Sequence, residues 1–389
     1  VSQSRSGEME KVLLTVNDVH GNVEVGFVLK EAEQLFNLVK FSTLKTELES
    51  SILNKDVSEC TRIVSELATV DFNPEKGITP CQEIGVLQEA FTDDEEVVLK
   101  YPGALGKLLG NDFHKGAFCA FLAPEKRGKS YWLLDVAMNA IYQRKKVAYF
   151  QAGDMSQKQL LKRYQQALTG RSIKTKEIAI PTGIRFQINE VLPDLDYMQL
   201  PLLTPEDIPD LMADFKWYHA RSEVPLIKFS CHTDGELSTI DIESQLATWA
   251  DEDNWLPDMV VIDFADILKM PNYANKRDAI NETWTNLRGI ALKHNVCLVT
   301  ATQADAKSYD QELLRKSNFS DSKDKYGRVT SIYGINQTTE ERGDFDTGTC
   351  IYRINVLMRR HAGYSETKVC YVAGNLDICT PHIISAFAT

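Results

Sequence analysis

The chain has 389 residues, of which 43% are hydrophobic and 25% charged, a length and composition suited to one large α/β domain with a smaller appendage. No apolar run reaches the roughly 18–20 residues that span a bilayer, and the opening VSQSRSGEMEK has no apolar secretion core, so a cytoplasmic protein without membrane contact is expected. The net charge of −12 excludes a surface that is basic overall, and any nucleic-acid contact has to come from locally concentrated Lys and Arg.

Residues 1–95 read as a helical region. Val28, Leu29, Ala32, Leu35, Phe36, Leu38 and Val39 fall at helical spacing, DVSECTRIVSELATV repeats the habit, and the pair predicts a small hairpin. DFNPEKGITP, with Pro74, Gly77 and Pro80, then reads as a linker, and residues 96–389 form the main domain.

From Gly116 the pattern becomes strand, turn, helix. AFCAFLA and KVAYFQAG are short apolar strands, each followed by a helix, the second with Ser156 and Gln159 placed for a capping box. PLIKFS, DMVVID and VCLVTATQ are three more strands, with a helix over residues 275–294 between the last two. Continuous apolar strands of this kind predict a mainly parallel sheet covered on both faces. Residues 171–225, with six prolines, break the rhythm and read as an insertion. RVTSIYGINQ, TCIYRINVLMRR and TKVCYVAG predict antiparallel strands at the C-terminal edge.

The eight cysteines are scattered, with no CxxC pair and no histidine at metal-ligand spacing. Cys119, Cys297 and Cys370 sit in apolar runs and are expected to be buried thiols.

The chemistry concentrates in AFLAPEKRGKS. Ala123, Pro124, Glu125, Lys126, Arg127, Gly128, Lys129 and Ser130, followed by Tyr131, fit a phosphate loop in which alanine replaces the first glycine, set between a strand and a helix as such a loop requires. In that reading Lys129 reaches the β- and γ-phosphates of ATP and Ser130 ligates Mg²⁺. Asp263, closing MVVID, is the second candidate in the metal shell, against the alternative of a carboxylate that only caps the next turn. The residue after it is Phe264, so a water-activating acid has to come from elsewhere. Asp154 ends another strand and suits that role or the capping of the following helix. Gln303, ending VCLVTATQ, is either a γ-phosphate sensor or an ordinary turn residue.

Taken in order, YPGALGKLLGNDFHKGAFCAFLAPEKRGKS, VAYFQAGDMSQKQLLKR, PDMVVIDFADIL, LRGIALKHNVCLVTATQ and RINVLMRRHAG resemble the RecA-like motor domain of DnaB-type replicative helicases, phage-like members above all. The resemblance spans residues 102–372. It implies a RecA-like P-loop NTPase core, an ATPase and Mg²⁺ site shared between subunits of a homo-oligomeric ring, movement on single-stranded DNA, and partners such as primase or a loader. It also implies that Asp154, where glutamate is usual, polarises the attacking water, and that Arg360, next to Arg359, reaches the γ-phosphate of a neighbouring subunit. DNA-facing loops would fall near residues 304–326, where Lys307, Arg315, Lys316, Lys323 and Lys325 are offset by five acids. Two other readings fit the same fold: a recombinase- or clock-type ATPase that does not unwind, and a nucleotide-binding assembly protein with vestigial hydrolysis.

Overall fold

The computed structural model describes residues 25–54, positions 84, 85 and 88, and residues 96–389 except 189, 220–223, 272, 274, 320–322, 339, 343, 345, 361 and 389. The chain divides into two compact units, Val1–Asp93 and Asp94–Thr389.

In the first unit one helix, α1 (Val25–Leu53), covers the first periodic segment. The segment expected to form the second arm of a hairpin, residues 56–70, and the linker at residues 71–80 lie outside the described residues.

The second unit is built on a nine-stranded sheet. After a short helix α2 (Gly103–Leu109), β1 (Phe118–Ala123) feeds the helix α3 (Lys129–Tyr142), β2 (Val147–Gln151) feeds α4 (Gln157–Thr169), and a two-stranded hairpin follows, β3 (Glu177–Phe186) and β4 (Val191–Gln199). Then come α5 (Ile208–His219), β5 (Ile227–Cys231), α6 (Thr239–Asp253), β6 (Met259–Asp263), α7 (Lys276–Lys293) and β7 (Cys297–Gln303). The chain closes with β8 (Ser331–Asn336), β9 (Thr349–Arg359), β10 (Val369–Asn375) and β11 (Thr380–Phe387).

The strand order is β11-β10-β9-β8-β1-β7-β6-β2-β5. From β8 to β5 neighbours run parallel, and β8 through β11 pair antiparallel. β1 is buried along its whole length, as are β2, β6 and β8, because apolar layers pack on both faces. One layer contains Phe121, Trp132 and Tyr352, the other Phe118, Trp284 and Leu287. Cys119, Cys297 and Cys370 are fully buried free thiols within it.

Three elements go beyond the sequence expectation. α6 is short in apolar positions, burying only Thr239, Ile242 and Leu246, so its periodicity is faint. β11 begins at Thr380-Pro381 and reads as a tail, yet it completes the sheet through β10. Residues 171–225, an excursion in the sequence, contain the β3–β4 hairpin, whose register shifts between Pro181 and Gly183, where proline has no N–H to give. The hairpin leans on the antiparallel edge: Asn375 Nδ2 donates to Ala179 O at 2.8 Å, and Phe186 meets Tyr371 edge-on at 5.0 Å.

Candidate nucleotide site

The loop between β1 and α3 lies where a parallel sheet opens at its C-terminal edge, beside β7, β6 and β2. α3 starts from Gly128 in the left-handed region (φ 80°), and a Cβ at this position would stand 2.4 Å from the Tyr352 hydroxyl, so only glycine fits. Lys126 is the other left-handed residue of the loop (φ 57°). Ala123, where phosphate loops carry glycine, is not left-handed, and the replacement is sterically harmless.

Lys129 is 9% exposed, and its ammonium donates to the carbonyls of Pro124 (3.1 Å) and Ala123 (3.5 Å) and lies 5.3 Å from the Phe264 ring centre. Burial lowers its pKa, and the surrounding carboxylates of Asp266, Asp154, Glu125 and Asp263 oppose that shift. Ser130 Oγ donates to Asp263 Oδ1 at 3.0 Å, and the Tyr149 hydroxyl donates to Asp263 Oδ2 at 3.1 Å. Burial pushes the Asp263 carboxyl up to about 6 against the pull of those two hydrogen bonds. The turn after β6 is not capped by Asp263, since the capping position there falls on Phe264 and receives no side-chain bond.

A cavity of about 580 Å³ opens over the loop, lined by Glu125, Lys126, Gly128, Lys129, Ser130, Tyr131, Asp154, Met155, Gln159, Arg163, Phe264 and Gln303. Asp154 is exposed within it and is not a helix cap, because Ser156 takes that role for α4 by accepting from Gln159 N. The turn that carries Asp154 is seated by Gly153 (φ 122°), whose added Cβ would come within 2.1 Å of Asp234 N in the loop after β5. Gln303 Nε2 donates to Glu125 Oε1 at 2.9 Å, which ties the end of β7 to the loop.

Two expected residues lie elsewhere. The Arg127 side chain turns away from the cavity, is buried, and donates to Gln337 O beyond β8 at 2.6 Å. Arg360 is exposed at the end of β9, where its guanidinium donates to Gly327 O and its backbone N–H to Thr330 O, and it does not line the cavity of its own chain. Its neighbour Arg359 is anchored inward, to Asp112 Oδ2 (2.7 Å) and to the Leu108 and Leu109 carbonyls (2.7 and 3.0 Å).

Sequence reasoning missed Tyr149 and Arg163. Arg163 sits one helical turn beyond Gln159 on the same face of α4, a spacing that would have revealed it, and its guanidinium stacks 4.3 Å from the Tyr131 ring. Tyr149 shares a strand face with Gln151 and gave no signal beyond being apolar in context.

A strand, a glycine-ended loop and a helix that deliver a buried lysine and a serine–aspartate pair to the edge of this sheet define a P-loop nucleotide-binding domain of RecA-like architecture. The fold is that of DnaB-like helicase motor domains. It is shared with a DnaB-like replicative helicase whose structure was described with its interactions with primase (TM-score 0.52, 14% identity, 88% of this chain and 75% of that one). It is shared as well with a second solved helicase ATPase domain (TM-score 0.52, 14% identity, 77% of this chain and 95% of that one). At this identity the likeness is one of fold. No protein-family model and no curated protein sequence matches the chain.

Proposed function

We propose that the chain is an ATP-driven motor that works as a ring of identical subunits and moves along single-stranded DNA during replication. The observation that carries this reading is the Ser130–Asp263 hydrogen bond beside the buried Lys129, at the strand edge of a RecA-like sheet. A hydroxyl and a carboxylate are hard oxygen donors of the kind Mg²⁺ takes alongside a substrate's phosphates. When bound, Mg²⁺ supplies positive charge to the phosphoryl oxygens, with Ser130 and Asp263 as its protein holders.

The chain's own groups then divide the work. First-turn amides of α3, which lack helical acceptors, and the Lys129 ammonium neutralise the phosphates. Asp154, exposed in the cavity, takes a hydrogen bond from the attacking water and orients it in line. Gln303 meets the γ-phosphate. Arg360, exposed and outside its own cavity, serves that of the neighbouring subunit. Tyr131 and Arg163 form a flat layer at the mouth suited to a base.

DNA contact falls to the exposed Lys307 and Arg315 after β7, because Lys325 is buried and Lys316 is paired with Glu366 at 3.2 Å. The primase association described for the DnaB-like neighbour makes a replication partner the natural expectation. No helix among the described residues is long and apolar enough to cross a membrane.

The test is ATP turnover with and without single-stranded DNA, beside unwinding of a forked duplex. Stimulated turnover with unwinding supports the motor. Turnover without unwinding leaves a RecA- or clock-type ATPase, and tight ATP binding with no turnover, unchanged in Asp154→Asn, leaves an assembly protein.

A further inference from the structure

Asp266, one turn past Asp263, gathers groups from three parts of the chain. Its Oδ2 accepts from the backbone N–H of Gln303 and from Thr302 Oγ1, both at 2.8 Å. Its Oδ1 takes the Lys325 ammonium at 2.7 Å, and that ammonium also donates to Thr302 Oγ1 at 3.0 Å. Lys325 is 1% exposed, and its charge faces the Trp284 ring at 5.2 Å. A lysine from the polar connection between β7 and β8 is therefore drawn into the interior to meet the carboxylate that fixes the end of β7.

The rest of that connection is locked to Lys325. Tyr326 packs its ring on Phe319 at 4.5 Å, Phe319 bridges to Ala304, and Asp305 N donates to Asn318 O at 2.8 Å. Movement of residues 304–319 consequently pulls on Lys325 from one side and on Gln303 from the other.

We propose that Asp266 and Lys325 are positioning residues: they set the reach of the Gln303 amide into the cavity and carry the state of residues 304–319 to it. The proposal rests on reading the cavity as a nucleotide site. A full ion pair holds where a neutral contact would slip, and it restricts the segment to discrete arrangements rather than a continuum of them. Because reacting groups tolerate little displacement, with about 1 Å costing up to about a hundredfold in rate, a latch at the base of Gln303 acts on turnover without touching the nucleotide.

The experiment uses the full chain, ATPγS with Mg²⁺ as probe, and hydrogen exchange as readout. Since Lys325→Met alone leaves a buried carboxylate unpaired, the informative protein is Asp266→Asn/Lys325→Met, in which both charges are gone and the acceptor for Gln303 N–H is kept. In the unaltered chain the probe is expected to slow exchange over residues 120–131 and also over 304–319. The double variant is expected to bind the probe within about twofold, to slow exchange over 120–131 only, and to lose about tenfold or more in kcat with KM unchanged. Lys325→Arg, which keeps the pair, is expected to restore both. Transmission to 304–319 in the double variant, or its absence in the unaltered chain that binds the probe, overturns the latch alone. Failure of the unaltered chain to bind the probe overturns the nucleotide reading and the latch with it.

Discussion

Two lysines lie buried at the same edge of the sheet, and their surroundings differ in kind. Lys325 meets a carboxylate and a hydroxyl, and its charge is matched within the protein. Lys129 is given two neutral carbonyl oxygens and an aromatic face, and its charge is compensated only at a distance. Burying an ammonium without a full partner costs stability, so a fold tolerates it where the charge serves something other than the fold. The first lysine is structural hardware, whereas the second has the marks of a binding group.

Replacement separates the two most sharply. Lys129→Ala is expected to lower ATP turnover by about a thousandfold or more while the melting temperature holds or rises. Steady-state kinetics beside thermal unfolding checks both halves, and a variant that keeps turnover removes Lys129 from the site. Lys325→Met is expected to do the reverse to the fold, at a cost of about 3–5 kcal/mol of unfolding free energy from the stranded Asp266 carboxylate. Urea titration reads it, and a loss below about 1 kcal/mol would mean that the pair is as weak as a surface one.

The same contrast recurs in the adjacent arginines of β9. Arg359→Ala is expected to destabilise by about 2–4 kcal/mol, because Asp112 and two carbonyls lose their donor. Arg360→Ala is expected to stay within about 0.5 kcal/mol, as an exposed change should, and to depress turnover in rings mixed with unaltered subunits. Equal stability losses in the two variants would erase the distinction.

A third buried charge gives the smallest effect. Asp135 on α3 is held by the Tyr101 hydroxyl at 2.9 Å, and burial raises its pKa to about 7. Its folded pKa lies above the unfolded value of 3.8, so the folded chain holds the extra proton between those limits. Stability therefore falls as pH rises from about 4 to about 7, by at most about 1.4 kcal/mol per unit. Melting curves at pH 5 and 7 should show the fall, and Asp135→Asn should flatten it.

The parallel half of the sheet was legible because uninterrupted runs such as VVID and CLVTATQ are what strands buried on both faces look like, and the glycine–lysine–serine turn between strand and helix marked the cavity from sequence alone. Ser130, Asp263 and Gln303 could be named from their places at strand and loop ends. The orientation of Arg127 could not, since a guanidinium in a charged loop carries no sign of which backbone carbonyl will receive it. Nor could the burial of Lys325: in a run of alternating charge, the one lysine that turns inward is selected by a carboxylate 59 positions earlier. Tyr149 and α6 were hidden for a related reason, because their roles come from cross-strand neighbours rather than local spacing.

The C-terminal strands bear on this cavity without lining it. Gln337 receives the loop's arginine, Tyr352 closes on its glycine, and Asp377 O accepts from Gln166 of α4. They form the backrest against which the phosphate grip is set, so the last third of the polypeptide cannot be trimmed as an ornament of the motor without loosening its grip.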